Sequence, residues 1–116
     1  MKSHIIAALL CLPALTSAVA AEDSTCIGIN TDATFGAQMA RDNATFAQAE
    51  AAINKSVNNI DAELLKAKRK KLTIEMKERM RNAFLDGYSE AKKHPEDTIE
   101  RVAGRVALDC YFAKHK

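Results

Sequence analysis

Cysteine, histidine and methionine are the side chains of this 116-residue chain best suited to redox or metal chemistry. The three cysteines are Cys11, Cys26 and Cys110. None lies in a Cys-x-x-Cys pair of the kind a redox centre uses, and no Cys-x-x-Cys-His is present to attach haem. Zinc needs several ligands at close spacing. His94 and His115 are the histidines outside the first few residues, and they stand far apart. Met76 and Met80 lie one helical turn apart, and thioethers suit Cu(I), but the same spacing describes a packed helix face. Neither histidine has the Ser, Cys or carboxylate neighbours of a triad. Glu75 and Glu78 stand among lysines, where nothing raises an acid pKa as glycosidic chemistry requires. The expectation is a protein without catalytic residues, cofactor or bound metal.

The location of the chain then decides what the cysteines do. Met1-Lys2-Ser3-His4 is a short basic start, Ile5 to Leu15 is apolar apart from Pro13, and Ala18-Val19-Ala20 supplies the small residues of a cleavage site. This pattern predicts a secretory signal over residues 1–20 and one helical domain over residues 21–116. The apolar run is too short for a retained membrane span. Leu10 before Cys11 and Thr25 before Cys26 are too large for a lipoprotein signal, so a periplasmic or secreted, unlipidated protein is expected. Cleavage removes Cys11. Two cysteines in an exported small domain predict a Cys26–Cys110 disulfide. A loop this long is worth roughly 4.6 kcal/mol in the chain-entropy model, as an upper figure.

The elements that position these residues read as helices throughout. Helix formers dominate, Pro and Gly are rare, and β-branched residues never alternate. From Thr25 to Arg41, Cys26, Ile29, Ala33, Gly36, Ala37 and Ala40 share one face, widened by Ile27, Phe35 and Met39. The small residues there let a neighbouring helix come close. Thr45 to Gln48 fits a capping box opening a second helix. Phe46, Ala49, Ile53 and Val57 form its stripe, and Asn58-Asn59 its expected end. Asp61 is expected to cap a third segment with Leu64 and Leu65 inward. Met76, Met80, Ala83, Phe84, Gly87, Tyr88 and Ala91 share a later face. Residues 62–93 form one helix or, as favoured here, two that meet near Lys70 to Thr73. Pro95 stops that stretch. Asp97 with Glu100 starts the last helix, whose face is Ile99, Val102, Ala103, Val106, Cys110 and Ala113. Arg105 stands one turn from Asp109. The fold class is therefore all-α: a small bundle of four or five helices closed by one disulfide between the first and last.

Charge is unevenly placed. Residues 21–65 hold seven acids and two bases, whereas residues 66–116 hold fourteen bases and eight acids. The densest part is Lys66, Lys68, Arg69, Lys70 and Lys71. Such a run is either a site for an acidic partner (a protein, a lipid head group or a cell-wall polyanion) or a solvated helix face. Nucleic acid is disfavoured, because no aromatic residues alternate with the bases and the chain is expected to be exported. Tyr88 and Tyr111-Phe112 are expected to be buried or half-buried. The small residues of the first and last helices serve either tight packing or a partner groove.

Cys26, Ala40-Arg41-Asp42, Ala83-Phe84, His94-Pro95-Glu96 and Cys110 together give a layout that resembles small exported two-cysteine all-α proteins of Gram-negative bacteria. The resemblance implies a periplasmic helical core bridged from end to end. Acid-stress chaperones of the periplasm and immunity proteins that neutralise cell-wall amidases are similar in size and class, although the chaperones space their cysteines much more closely. The functional expectation is a non-catalytic protein that binds another exported or envelope protein, in the manner of an inhibitor or immunity protein. The alternative is an envelope-stress, chaperone-like protein.

Overall fold

The structure, a computed structural model, describes residues 25–114. The expected signal, Cys11 and His115 lie outside the described residues. Among those described, four helices and no strand are found: α1 (residues 25–41), α2 (Phe46–Lys66), α3 (Ile74–Lys93) and α4 (Ile99–Lys114). None is long and apolar enough to cross a membrane.

Local chemistry sets most of the boundaries. The capping box at Thr45 forms: the Gln48 N–H donates to the Thr45 hydroxyl at 3.1 Å, and the Thr45 N–H donates to the Gln48 side-chain carbonyl at 2.8 Å. Thr73 caps α3 in the same way, accepting from the Met76 N–H at 3.1 Å. Helices α1 and α2 both end in a left-handed residue, Asn43 (φ 64) and Lys68 (φ 57). At each, the next N–H reaches back five residues, Ala44 to Met39 at 3.0 Å and Arg69 to Leu64 at 2.8 Å. Both are Schellman ends.

Two expected boundaries are corrected. Asn58-Asn59 does not end α2, which runs on to Lys66 with Asp61 inside it. Asparagine weakens a helix by competing locally for backbone groups. Here the stripe Ala49, Ile53, Val57 and Asp61 continues on one buried face, and tertiary contacts outweigh that weakness. Asp61 accepts from the Leu72 N–H at 2.9 Å and pairs with the Lys77 ammonium at 2.6 Å. It therefore clamps the following connection rather than capping a helix. The last helix is capped by Thr98, whose hydroxyl accepts from the Arg101 N–H at 3.1 Å. Asp97 instead takes the Arg105 guanidinium at 2.6 Å, so Arg105 pairs across a turn rather than with Asp109.

Helices α1 and α3 run parallel and cross in close contact. A Cβ at Gly36 would fall 2.8 Å from the Phe84 carbonyl carbon, and one at Gly87 would fall 2.7 Å from the Ala33 Cα. Backbone lies against backbone on both sides, with Ala33, Ala37, Ala40, Phe84, Tyr88 and Ala91 buried around the crossing. Helix α2 lies antiparallel to α3 and contributes Ala49, Ile53 and Val57. Helix α4 lies antiparallel on the other side and contributes Val102, Ala103 and Ala107. Among the described residues α2 and α4 do not touch.

Two fastenings hold the ends. At one, Arg41 closes α1 by donating to the carbonyls of Ala91 (2.6 Å), His94 (3.1 Å) and Asp97 (2.6 Å). A cation thereby satisfies α3's terminal carbonyls. At the other, the expected Cys26–Cys110 disulfide joins the start of α1 to α4 across a Cα–Cα distance of 5.6 Å. The Tyr88 hydroxyl adds a bond to the Ala44 carbonyl at 2.6 Å, with Phe46 edge-on to its ring at 5.9 Å.

The glycines separate into two pairs. Gly36→Ala and Gly87→Ala should each lower stability by about 1–3 kcal/mol or more, because the neighbouring backbone has no room to yield. Gly28 and Gly104 have nothing within 4 Å of an added Cβ, so alanine there should raise stability by about 0.5–1 kcal/mol. Thermal melts of the four variants test this; equal effects in the two pairs would refute the close crossing.

Candidate functional site

The crossing of α1 and α3 leaves a groove between α1 and α2. Asp32, Phe35 and Met39 lie along α1 at spacings of three and four, so they share one face. Ala52, Ser56 and Ile60 do the same on α2 at spacings of four. Met80 and Phe84 of α3 form the floor, and the whole encloses about 440 Å³. The lining is apolar except for Asp32, Gln38 and Ser56. Phe35 is 60% exposed on one rim and Ile60 is exposed on the other. The expectation that Phe35 and Ile27 widen the core face of α1 is thus corrected. The small residues bring α3 so close that bulkier neighbours at their flanks are turned outward.

Asp32 is the ionisable group of this groove. It is half-buried, and among the described residues no cation lies within ion-pair distance of it. Desolvation raises its pKa to about 6. Arg79 shares a smaller adjoining cleft with Asp32, Leu72 and Met76 without pairing to it. Removing a carboxylate from water without a partner is unfavourable, so the groove holds an unmet demand for a cation. Met39 and Met80 add flexible, polarisable surface of the kind that adapts to varied apolar partners.

Other acids are placed differently. The pKa of Asp61 is lowered, first by its bond to Lys77 and then by the Leu72 N–H. That of Asp97 is lowered first by the Arg105 guanidinium. Both serve the fold. Asp86 is raised by desolvation and by Glu90, beside a shallow depression next to the disulfide. His94, Glu96 and Asp97 bring three potential metal-ligand atoms within 4.8 Å of one another. Asp97 already accepts from Arg105, and His94 stands between Glu90 at 3.5 Å and Glu96 at 3.6 Å. The cluster reads as part of the Arg41 fastening.

The residues singled out from sequence fall in three places. Lys66, Lys68, Arg69, Lys70 and Lys71 are all exposed at the end of α2 and in the connection to α3, away from the groove. Met76 and Met80 differ in burial, Met76 exposed and Met80 on the groove floor, though both line the adjoining cleft. Tyr88 is core, Tyr111 is half-buried, and Phe112 is 64% exposed, contrary to expectation. The residue that the sequence reading passed over is Asp32. Its signal was present: an acid beside the small-residue stripe, three before Phe35 and seven before Met39. The groove itself lies between the first two helices, not between the first and last.

Comparison with known proteins returns no matching family model, no matching curated protein and no matching solved structure.

The raised Asp32 pKa fixes the sign of a pH effect. Below about 4 the carboxyl is protonated in folded and unfolded chains alike. Between about 4 and 6 only the unfolded chain has lost its proton, so stability falls as pH rises through that window and stays lowered above it. Asp32→Asn should therefore melt higher than the parent at pH 7 and at the same temperature near pH 4. Asp61 and Asp97 act in the opposite sense, because their stabilisation is lost as pH falls through their lowered folded values. They act equally in parent and variant. A variant that melts lower at pH 7 would show that Asp32 has a stabilising partner.

Proposed function

We propose that this chain is an exported, non-catalytic binding protein. On this reading it works in the periplasm or outside the cell and captures another envelope or secreted protein in the groove between α1 and α2. The observation that carries the reading is Asp32, a half-buried carboxylate with no cation paired to it among the described residues, inside a mainly apolar cleft. The matching segment presents apolar side chains around one lysine or arginine. Apolar area supplies the contact, and the cation relieves the desolvated carboxylate. A charge-assisted bond in such surroundings is worth more than one in water.

The disulfide supports an oxidising compartment, in line with the leader-like start of the chain. The groove's polar groups are one carboxylate, one amide and one hydroxyl, which suit recognition. A chaperone-like role would draw on the same apolar surface. A carboxylate in the groove with no cation beside it among the described residues opposes it, because it penalises apolar clients that bring no cation. Selectivity of this kind rejects a ligand that leaves a buried polar group unmatched.

A short amphipathic helical peptide with a single lysine in its leucine face tests the reading. Compared with the same peptide carrying methionine or glutamate at that position, it should bind at least tenfold more tightly at pH 7.5. The advantage over methionine should shrink steadily as pH falls below about 6, where free Asp32 takes up its proton, and should be absent in Asp32→Asn. Phe35→Asp, at an exposed rim, should weaken all the peptides without lowering the melting temperature. Equal affinity of the lysine and methionine peptides at pH 7.5 would overturn the cation requirement. Binding that ignores Phe35→Asp would remove the groove as the site.

A further inference from the structure

The antiparallel arrangement gathers a second surface at one end of the bundle, which adjoins the groove at Asp32 and Met80. The starts of α1 and α3 and the ends of α2 and α4 meet there: Thr25 and Gly28 share a cleft with Leu72 and Met76, and Cys26 is bonded to Cys110. The connection between α2 and α3 presents Lys68, Arg69, Lys70 and Lys71 to solvent, with Lys66 just before it. Lys66 meets Glu63 at 3.5 Å. Among the described residues the other four have no anion within ion-pair distance.

Large apolar side chains stand among these cations. Leu65 is 54% exposed and Ile74 is 75% exposed, the highest value among the described bulky apolar residues, and they flank the basic connection on either side. Met76, Ile27 and Phe112 are also exposed on the helix segments that meet at this end. At the opposite end, which holds the turns at 42–45 and 94–98, Phe46 is the exposed bulky apolar residue. The connection is also held in shape. Lys68 occupies a left-handed conformation (φ 57) that glycine or asparagine takes at lower cost. The Asp61 carboxylate pins the Leu72 N–H at 2.9 Å. A cation is thus kept at a strained position on an ordered loop.

We infer that this end docks on an anionic lipid surface. A cluster of four to eight Lys and Arg residues recognises acidic head groups. Apolar side chains beside such a cluster enter the boundary between head groups and acyl chains. A soluble polyanion would satisfy the cations alone and leave Leu65 and Ile74 in water. Cations and apolar tips side by side match the two layers of an anionic membrane surface. Docking there would present the α1–α2 groove beside the bilayer, yet the contact requires nothing of Asp32 or Phe35.

Flotation of the processed, disulfide-bonded protein with vesicles tests the inference. Vesicles containing 30% phosphatidylglycerol should capture it, and pure phosphatidylcholine vesicles should not. Each Lys or Arg near the surface contributes roughly fivefold, so replacing Lys68, Arg69, Lys70 and Lys71 by Gln should reduce binding by at least a hundredfold. Ile74→Ser with Leu65→Ser should reduce it at least tenfold. All six side chains except Lys68 sit in unstrained backbone, and all are exposed, so the melting temperature serves as the folding control. Lys68→Gly should bind severalfold more weakly while melting higher. Phe35→Asp should float like the parent, which separates this surface from the groove. Absence of capture by anionic vesicles would overturn the inference. So would capture indifferent to the two serine substitutions, which would mark a purely electrostatic site for an acidic macromolecule.

Discussion

The close approach of α1 and α3 at Gly36 and Gly87 is the constraint on which the rest of the molecule depends. Two helices whose backbones touch fix their separation and relative rotation with little freedom left. That rotation sets Cys26 toward α4, so the bridge to Cys110 closes without a long connection. It also carries Arg41 to the carbonyls of Ala91, His94 and Asp97. Because the centre of the crossing is made of glycine and alanine, the core is thin and bulky side chains find little room in it. Phe35 and Ile60 are left at the rims of a groove, and Asp32 is left half-buried in its wall. The site is in this sense a by-product of the packing that holds the fold together.

This arrangement explains the unusual distribution of apolar surface. A small all-α domain with few aromatics cannot bury every large side chain. Here the surplus is concentrated in two regions of different chemistry. The groove combines largely apolar walls with a negative group that has no cation partner among the described residues. The end of the bundle combines apolar tips with positive groups, four of which have no ion-pair partner among the described residues. A protein positioned at a membrane surface by one and holding a partner segment in the other would use both regions at once. The fastening at the opposite end spends Arg41, Asp97 and Arg105 on internal bonds.

Much of the fold was legible in the sequence where one local interaction decides an outcome. Thr45 with Gln48, Thr73, Pro95 and the three-and-four spacing of Ala33, Gly36, Ala37 and Ala40 each did so. Asn58-Asn59 misled because helix weakness is a local property, whereas Asp61 draws its stabilisation from Leu72 and Lys77, eleven and sixteen residues away. Asp97 misled because it and Thr98 both have capping side chains. The choice between them rests on Arg105, which claims the carboxylate. Gly36 read as a place where a helix comes close, but no pattern in one helix identifies Gly87 as its counterpart. Asp32 was illegible as a site for the same reason: its environment is made by Ala52, Ser56 and Met80, which reach it only once the helices have packed.

The measurement that bears most directly on the groove is the carboxyl titration of Asp32, followed by carbon-detected NMR with and without a lysine-bearing amphipathic peptide. The expected midpoint is about 6 in the free protein. It should fall to or below the ordinary carboxylate value of about 4 once the peptide's cation is in place. A midpoint near 4 in the free protein, unchanged by peptide, would mean that Asp32 is a solvated surface acid and that the groove makes no demand for a cation.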